Sequence, residues 1–316
     1  MADLLKGVAS GGWTWVVSWL FPSLIAVAAF GLLILPANRT LPILAELTRL
    51  SVAERTATLI GAALMIALLL SALSTILYRL LEGYLLVPEF LRSRLTARQW
   101  KKRAAIKQRI AGLQNETEVN NGHGPGKGLE FSLLNEELRR YPVADEQLGP
   151  TKLANALRAF ETYAYDRYRL DSQLLWNELV SITPESLRKE EAESRASVNF
   201  FVSLVFISLS FSVFCVLTLI TQGNSWSLTA AAASSTILVP VWYRLAVVST
   251  RAWSSAVQAM VNVGRGELAL KLGLRMPASL DEERDMWQFV NWFVAESYDD
   301  YWARKLDPFR IHSSNS

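Results

Sequence analysis

Four stretches of this chain are long and apolar enough to cross a bilayer as helices, and no other feature restricts its fold as strongly. They run from Trp13 to Leu35, closed by Pro36, from Thr58 to Tyr78, from Val198 to Ile220 and from Leu228 to Val248. About 20 apolar residues in a helix cover about 30 Å of hydrocarbon. None of the four alternates with the period of two that a barrel strand needs, and lipid offers no partner for a free backbone N–H or C=O. The expected fold class is therefore all-α: a polytopic membrane protein with four transmembrane helices and a helical cytoplasmic domain built on their extensions. Composition agrees, since 51% of the residues are hydrophobic and 19% charged, against about 25% charged in an ordinary soluble domain.

Lysine and arginine near the span ends set the orientation. Arg79, Arg92, Arg94, Arg98, Lys101, Lys102 and Arg103 follow the second span, Arg188, Lys189 and Arg195 precede the third, and Arg251 and Arg265 follow the fourth. The loop between spans three and four has no cation. The loop between spans one and two has Arg39, Arg49 and Arg55, which run against the rule, and its Leu41–Arg55 stretch reads as a short interfacial helix. The middle region and both termini are expected on the cytoplasmic side of the membrane. A cleaved secretory signal is disfavoured at the first span, because Asp3 offsets Lys6 and the apolar run continues to Leu35.

This gives four parts: a first helix pair (1–89), a cytoplasmic helical region with a flexible loop at 117–129 (90–196), a second helix pair (197–249) and C-terminal cytoplasmic helices (250–316). The helix of span two is expected to reach Leu86 and to break at Pro88. A basic helix follows, with Leu95, Trp100, Ile106, Ile110 and Leu113 at helical spacing. Arg98, Lys101, Lys102 and Arg103 beside a membrane read as contacts to anionic headgroups rather than to nucleic acid.

Catalytic and cofactor motifs are missing. The Gly-Lys of "NNGHGPGKG" (120–128) resembles a phosphate loop, but Asn121 stands five before Gly126 and Gly128 replaces the needed hydroxyl. His123 and His312 are the only histidines, and Cys215 is the only cysteine. A metal site, a hydrolytic triad and an internal disulfide are all disfavoured. No enzymatic activity and no cofactor are expected.

The aromatic residues are placed more tellingly. Leu153, Ala156, Leu157, Phe160 and Tyr163 or Ala164 share a helical face, and Asp171 is placed to cap a helix in "SQLLWNELVSI". Thr183-Pro184-Glu185 reads as the start of a helix running uninterrupted into span three. Ser279 and Glu282 form a capping box for a C-terminal helix bearing Trp287 and Trp292. Tyr165, Tyr168, Trp176, Trp287 and Trp292 are candidate contacts with a partner or between subunits. They stand against the simpler reading that these aromatics form the core of the helical domain.

Two segments carry a resemblance. "LGPTKLANALRAFETYAYDRYRLDSQLLWNEL" (148–179) and "GELALKLGLRMPASLDEERDMWQ" (266–288) resemble a family of uncharacterised bacterial polytopic membrane proteins. Its members share a Leu-x-x-Thr-x-Leu-x-Asn-x-Leu-Arg-Ala-x-Glu-x-Tyr segment, then Arg-Tyr-x-Leu-Asp and Leu-Trp, ahead of a late pair of spans. The resemblance implies a membrane protein and brings no biochemical role.

Two functional classes follow. The first is a homo-oligomeric channel with a cytoplasmic gating domain. Asn199, Ser203 and Ser210, which share one face of span three, would line its pore. The second is a non-conducting scaffold or receptor that recruits a cytoplasmic protein partner, for instance in stress or phage defence. The bilayer is a partner in both.

Overall fold

A computed structural model describes residues 12–37, 42–119, 126–223 and 225–311. Residues 120–125 of the expected flexible loop, with His123, and the terminal His312 lie outside the described residues, whereas its ends at 117–119 and 127–129 are helical. The protein is all-helical, and four helices are long and apolar enough to cross a membrane. The chain divides into two compact units. One is Met1–Leu80 with Ala192–Thr250, the other Leu81–Glu191 with Arg251–Ser316.

The first unit holds α1 (Gly12–Ile34), α2 (Pro42–Arg49), α3 (Val52–Ala72) and most of α4 (Ser74–Glu82). It also holds the apolar stretches of α10 (Glu185–Gln222) and α11 (Trp226–Lys271). α1 contains two π-helical segments, Val16–Leu20 and Phe30–Ile34, in which Phe21 N–H reaches Val16 O and Leu35 N–H reaches Phe30 O. The first segment lies just ahead of Pro22, which cannot donate a backbone hydrogen bond.

α3 begins six residues before the expected Thr58. Ser51 and Glu54 close a capping box there, each side chain accepting from the other's backbone N–H. Ala63 and Ala67 are fully buried on this helix, while Leu64, Met65, Leu68 and Leu69 face outward. Small residues inside and large apolar ones outside suit helix packing within lipid. Ile34, Cys215, Leu228, Ala231 and Ala232 form a second buried cluster.

The helix after span two ends earlier than the expected Leu86. α4 stops at Glu82, and Gly83 takes φ +81. A left-handed glycine ends a helix without the steric cost other residues meet, so Gly83 sets the boundary and Pro88 comes too late.

The second unit holds α5 (Glu89–Val119), α6 (Lys127–Leu138), α7 (Lys152–Glu161), α8 (Tyr163–Tyr168) and α9 (Trp176–Ile182). It also has the polar stretches of α10 and α11, then α12 (Leu280–Ala295) and α13 (Asp300–Leu306). Its main core is built from Leu170, Leu175, Leu179, Val261, Leu268, Met286, Trp287 and Val290, with Tyr163, Tyr168 and Trp176 packed against them. A smaller core joins Ile106 and Ile110 of α5 to Tyr141 and Leu148. Two expected caps behave differently. Asp171 accepts from Gln173 and Leu174 N–H, in the turn ahead of α9. The buried Thr183 hydroxyl donates back to Leu179 O, at 2.7 Å, so it finishes α9 while α10 starts at Glu185.

Candidate functional site

The densest polar arrangement lies in the helical unit, where α12 faces the polar stretch of α11. Ser279 caps α12 by accepting from Glu282 N–H. One residue further on, Glu283 turns inward. Its Oε1 accepts from Arg265 Nε at 2.9 Å and from Trp287 Nε1 at 3.3 Å. The Glu283 side chain is 9% exposed and that of Arg265 27%. A carboxylate so far from water needs such charge-assisted donors.

Arg265 has further contacts. Its guanidinium donates to Asn262 O at 2.6 Å and lies 4.4 Å from the centre of the Tyr168 ring. The Asn262 amide oxygen accepts from the Tyr163 and Tyr168 hydroxyls, each at 3.1 Å. Farther along α12, Asn291 pairs with the backbone of the α8–α9 connection, donating to Arg169 O at 2.6 Å and accepting from Asp171 N–H at 3.0 Å. Arg169 holds φ +59, a conformation costly for a residue with a Cβ, and Asn291 clamps it. Arg284 donates to Arg167 O at 2.8 Å, placing a cation at the carbonyl end of α8.

These contacts are bonds between fixed partners, and Glu283 Oε1 accepts from two of them. Among the described residues no three His, Cys, Asp or Glu side chains are grouped to hold a metal ion.

The five aromatic candidates separate. Trp287 is fully buried, and Tyr168 and Trp176 pack on the same core. Trp292 belongs to a neighbouring aromatic group, its ring centre 4.1 Å from that of Trp302. Tyr165 is exposed, with Arg169 over its ring. The resemblance segment reads as local structure. Leu148, Leu153, Leu157, Leu170 and Leu175 are buried, and Thr151 caps α7. The Asn155 amide accepts from Gly149 N–H and donates to the Gly149 and Thr151 carbonyls, at 2.8, 3.1 and 2.9 Å. Arg265, Asn262, Glu283 and Asn291 gave no sequence signal. Apart from Trp287, four residues along from Glu283, their partners are distant in sequence or are main-chain groups.

In the membrane unit, Asn199 Oδ1 accepts from Tyr78 OH at 2.8 Å. Ser203 is fully buried and donates to Ser18 O, whereas Ser210 is exposed. So one predicted face is divided: its middle is closed by α1 and its far end is open. Ser212 bonds Thr236 at 2.7 Å, and Trp242 Nε1 donates to Ser208 at 3.2 Å.

Among the predicted headgroup cations, Arg98, Lys101 and Lys102 are exposed. Arg103 must be withdrawn from that set. Its side chain is 4% exposed, bonded to Asp145 and to Val143 O. An open groove of about 510 Å³ lies alongside, lined by Glu89, Arg92, Ser93, Thr96, Trp100 and Asp145 among others. The Trp100 indole N–H, with Arg103 and Lys107 nearby, holds the Asp145 carboxyl below the usual carboxylate range. No family model, curated protein or solved structure matches the chain.

Proposed function

We propose that this chain is a membrane-anchored scaffold or receptor, in which the spans hold the protein in a bacterial inner membrane and the helical unit recruits a soluble protein. One observation carries this reading. The buried hydroxyls of span three, Ser203, Ser208, Ser212 and Thr218, are all hydrogen-bonded within the chain. Their outward neighbours Leu209, Val213, Phe214, Leu217 and Ile220 are apolar and exposed. Ser203, Ser208 and Ser212 bond to other spans and so join helices together, while Thr218 bonds back to Phe214 O in its own helix, and an apolar outer surface suits lipid contact. The excess of Lys and Arg flanking the spans supports a cytoplasmic helical unit. The segment at 148–179 supports placing the chain with the bacterial membrane proteins it resembles.

The end of the helical unit supports recruitment. Phe293, Val294, Tyr298 and Tyr301 are exposed beside the exposed acids Glu296, Asp299 and Asp300. Asp300 beside Tyr298 raises the phenol above its ordinary range. This surface fits a partner segment with apolar and basic side chains.

A second reading, a homo-oligomeric channel, draws on Ser210 and Ser234, which are exposed on spans three and four and could meet those of other copies. Ion flux from liposomes separates the two. The scaffold reading expects flux equal to empty liposomes. Flux above that level, abolished by Ser210→Leu, would establish the channel instead. A photocrosslinker at Tyr298 in cells is expected to yield one heterologous adduct that Asp299→Lys with Asp300→Lys removes. An adduct of two identical chains would count against recruitment.

A further inference from the structure

The start of α5 and the turn before it combine an apolar tip with a row of free cations. Leu86 is 91% exposed, Phe90 66% and Leu91 40%. At about 100° per residue, Phe90, Arg94, Arg98 and Lys101 fall within about 80° of one another on α5. They lie opposite the face that buries Gln99, Arg103, Ile106 and Ile110, and Lys102 flanks the row. Arg94, Arg98, Lys101 and Lys102 are all exposed, and among the described residues none of the four has an ion-pair partner. Nearby acids are engaged elsewhere: Glu89 with Arg92, Asp145 with Arg103, Glu116 with Lys127 and Glu130 with Arg109.

Covalent continuity keeps the start of this segment close to the end of the apolar span. No charged residue lies between Arg55 and Arg79, so the apolar span ends near Arg79. α4 ends at Glu82, and the four residues from there to Leu86 reach at most about 14 Å even fully extended. An apolar tip followed by a cationic helix face is the chemistry of an interfacial element. Apolar side chains enter the boundary layer and cations meet anionic headgroups.

We propose that the segment from Leu86 to Lys102 seats on an anionic phospholipid surface. Leu86 and Phe90 enter the interface, and Arg94, Arg98, Lys101 and Lys102 neutralise headgroup charge. Arg103 takes no part, because its guanidinium is buried. The row is thus a cationic contact with the headgroups, and it rests on the reading of α3 as a membrane span.

The test uses the full chain in nanodiscs, either of phosphatidylcholine alone or of phosphatidylcholine with phosphatidylglycerol. In a Cys215→Ala background, Leu86→Cys carries a fluorophore that lipids with a headgroup-level nitroxide quench. Leu133→Cys, at an exposed site on α6, is the control. Quenching at 86 is expected to exceed that at 133 severalfold, to grow with the anionic fraction and to fall with added salt. Arg94→Gln, Arg98→Gln and Lys101→Gln together should abolish the dependence on anionic lipid, with circular dichroism and elution volume unchanged. If that variant misfolds, the salt titration of the parent decides. Equal quenching at the two sites, or indifference to the anionic fraction, would overturn the proposal. So would a disulfide between two copies through position 86, which would assign the face to self-association. A label at Leu68, quenched by nitroxide deep in the acyl chain, checks the span separately: its failure would sink the span reading itself.

Discussion

Ser203 Oγ donates to the carbonyl oxygen of Ser18, 3.0 Å away, across the contact between α10 and α1. Ser18 lies in the π-helical segment Val16–Leu20, and the i+4 register cannot serve its carbonyl because residue 22 is proline and has no N–H. A hydroxyl from another span supplies a donor to that carbonyl. The same oxygen lies 2.8 Å from Asn199 O, so its single proton serves two carbonyls.

Ser203→Ala is therefore expected to destabilise the membrane unit by about 0.6 kcal/mol, and by no more than about 1.7. In a Pro22→Ala background, where the backbone can supply the N–H, the loss should shrink. A double-mutant cycle on thermal unfolding in detergent reads this coupling directly. Equal losses in both backgrounds would mean that Ser203 does not substitute for the proline's missing donor.

Glu283 joins α12 to α11 through Arg265 and accepts a second bond from Trp287 on its own helix. Glu283→Ala leaves a largely buried guanidinium without its carboxylate, at an expected cost of about 3 kcal/mol. Glu283→Gln keeps an acceptor for the Trp287 indole and should cost about half as much. Near-ultraviolet circular dichroism of the buried tryptophan, followed through denaturation, reports both.

Gly149 has no room for a side chain. A Cβ there would lie 2.6 Å from Ala154 Cβ and 3.2 Å from Tyr84 OH. Because Ala154 Cβ cannot rotate away, the backbone must move, and the Asn155 clamp on Gly149 moves with it. Gly149→Ala should destabilise the helical unit by about 2 kcal/mol, seen as earlier unfolding of α7 in hydrogen exchange.

Glu161 gives a pH dependence. Burial raises its carboxyl above the ordinary carboxylate value, and Arg158, 3.9 Å away, opposes this only in part. Folding thus favours the protonated form. Ionisation costs stability as pH rises from the ordinary value of 4.5 through the raised one. Glu161→Gln should raise the apparent Tm by about 1–2 °C at neutral pH, a small gain because the side chain is one-third exposed. Below the ordinary carboxylate range the gain should vanish. A gain that persists in acid would assign the effect to packing.

What the sequence determined by itself is whatever depends on residues close together along the chain. The spans follow from unbroken apolar runs, since lipid leaves the backbone no partner outside the helix. The start of α12 follows from Ser279 and Glu282, three residues apart. Local reading also met its limit over short distances. At 82–88 a left-handed Gly83 stops the helix before Pro88 can, and at 183 a hydroxyl turns back to Leu179 instead of forward. The tertiary structure decided which polar groups face inward. Arg103 and Arg98 lie on one basic helix and look alike in sequence, yet one is buried against Asp145 and the other is free. Ser203 and Ser210 share a face of α10, yet α1 covers only the first. Arg265 finds Glu283 across two helices, and Ser203 finds Ser18 some 185 positions away. Such pairings depend on which surfaces meet when helices pack, and the period of a single helix shows only which side is apolar.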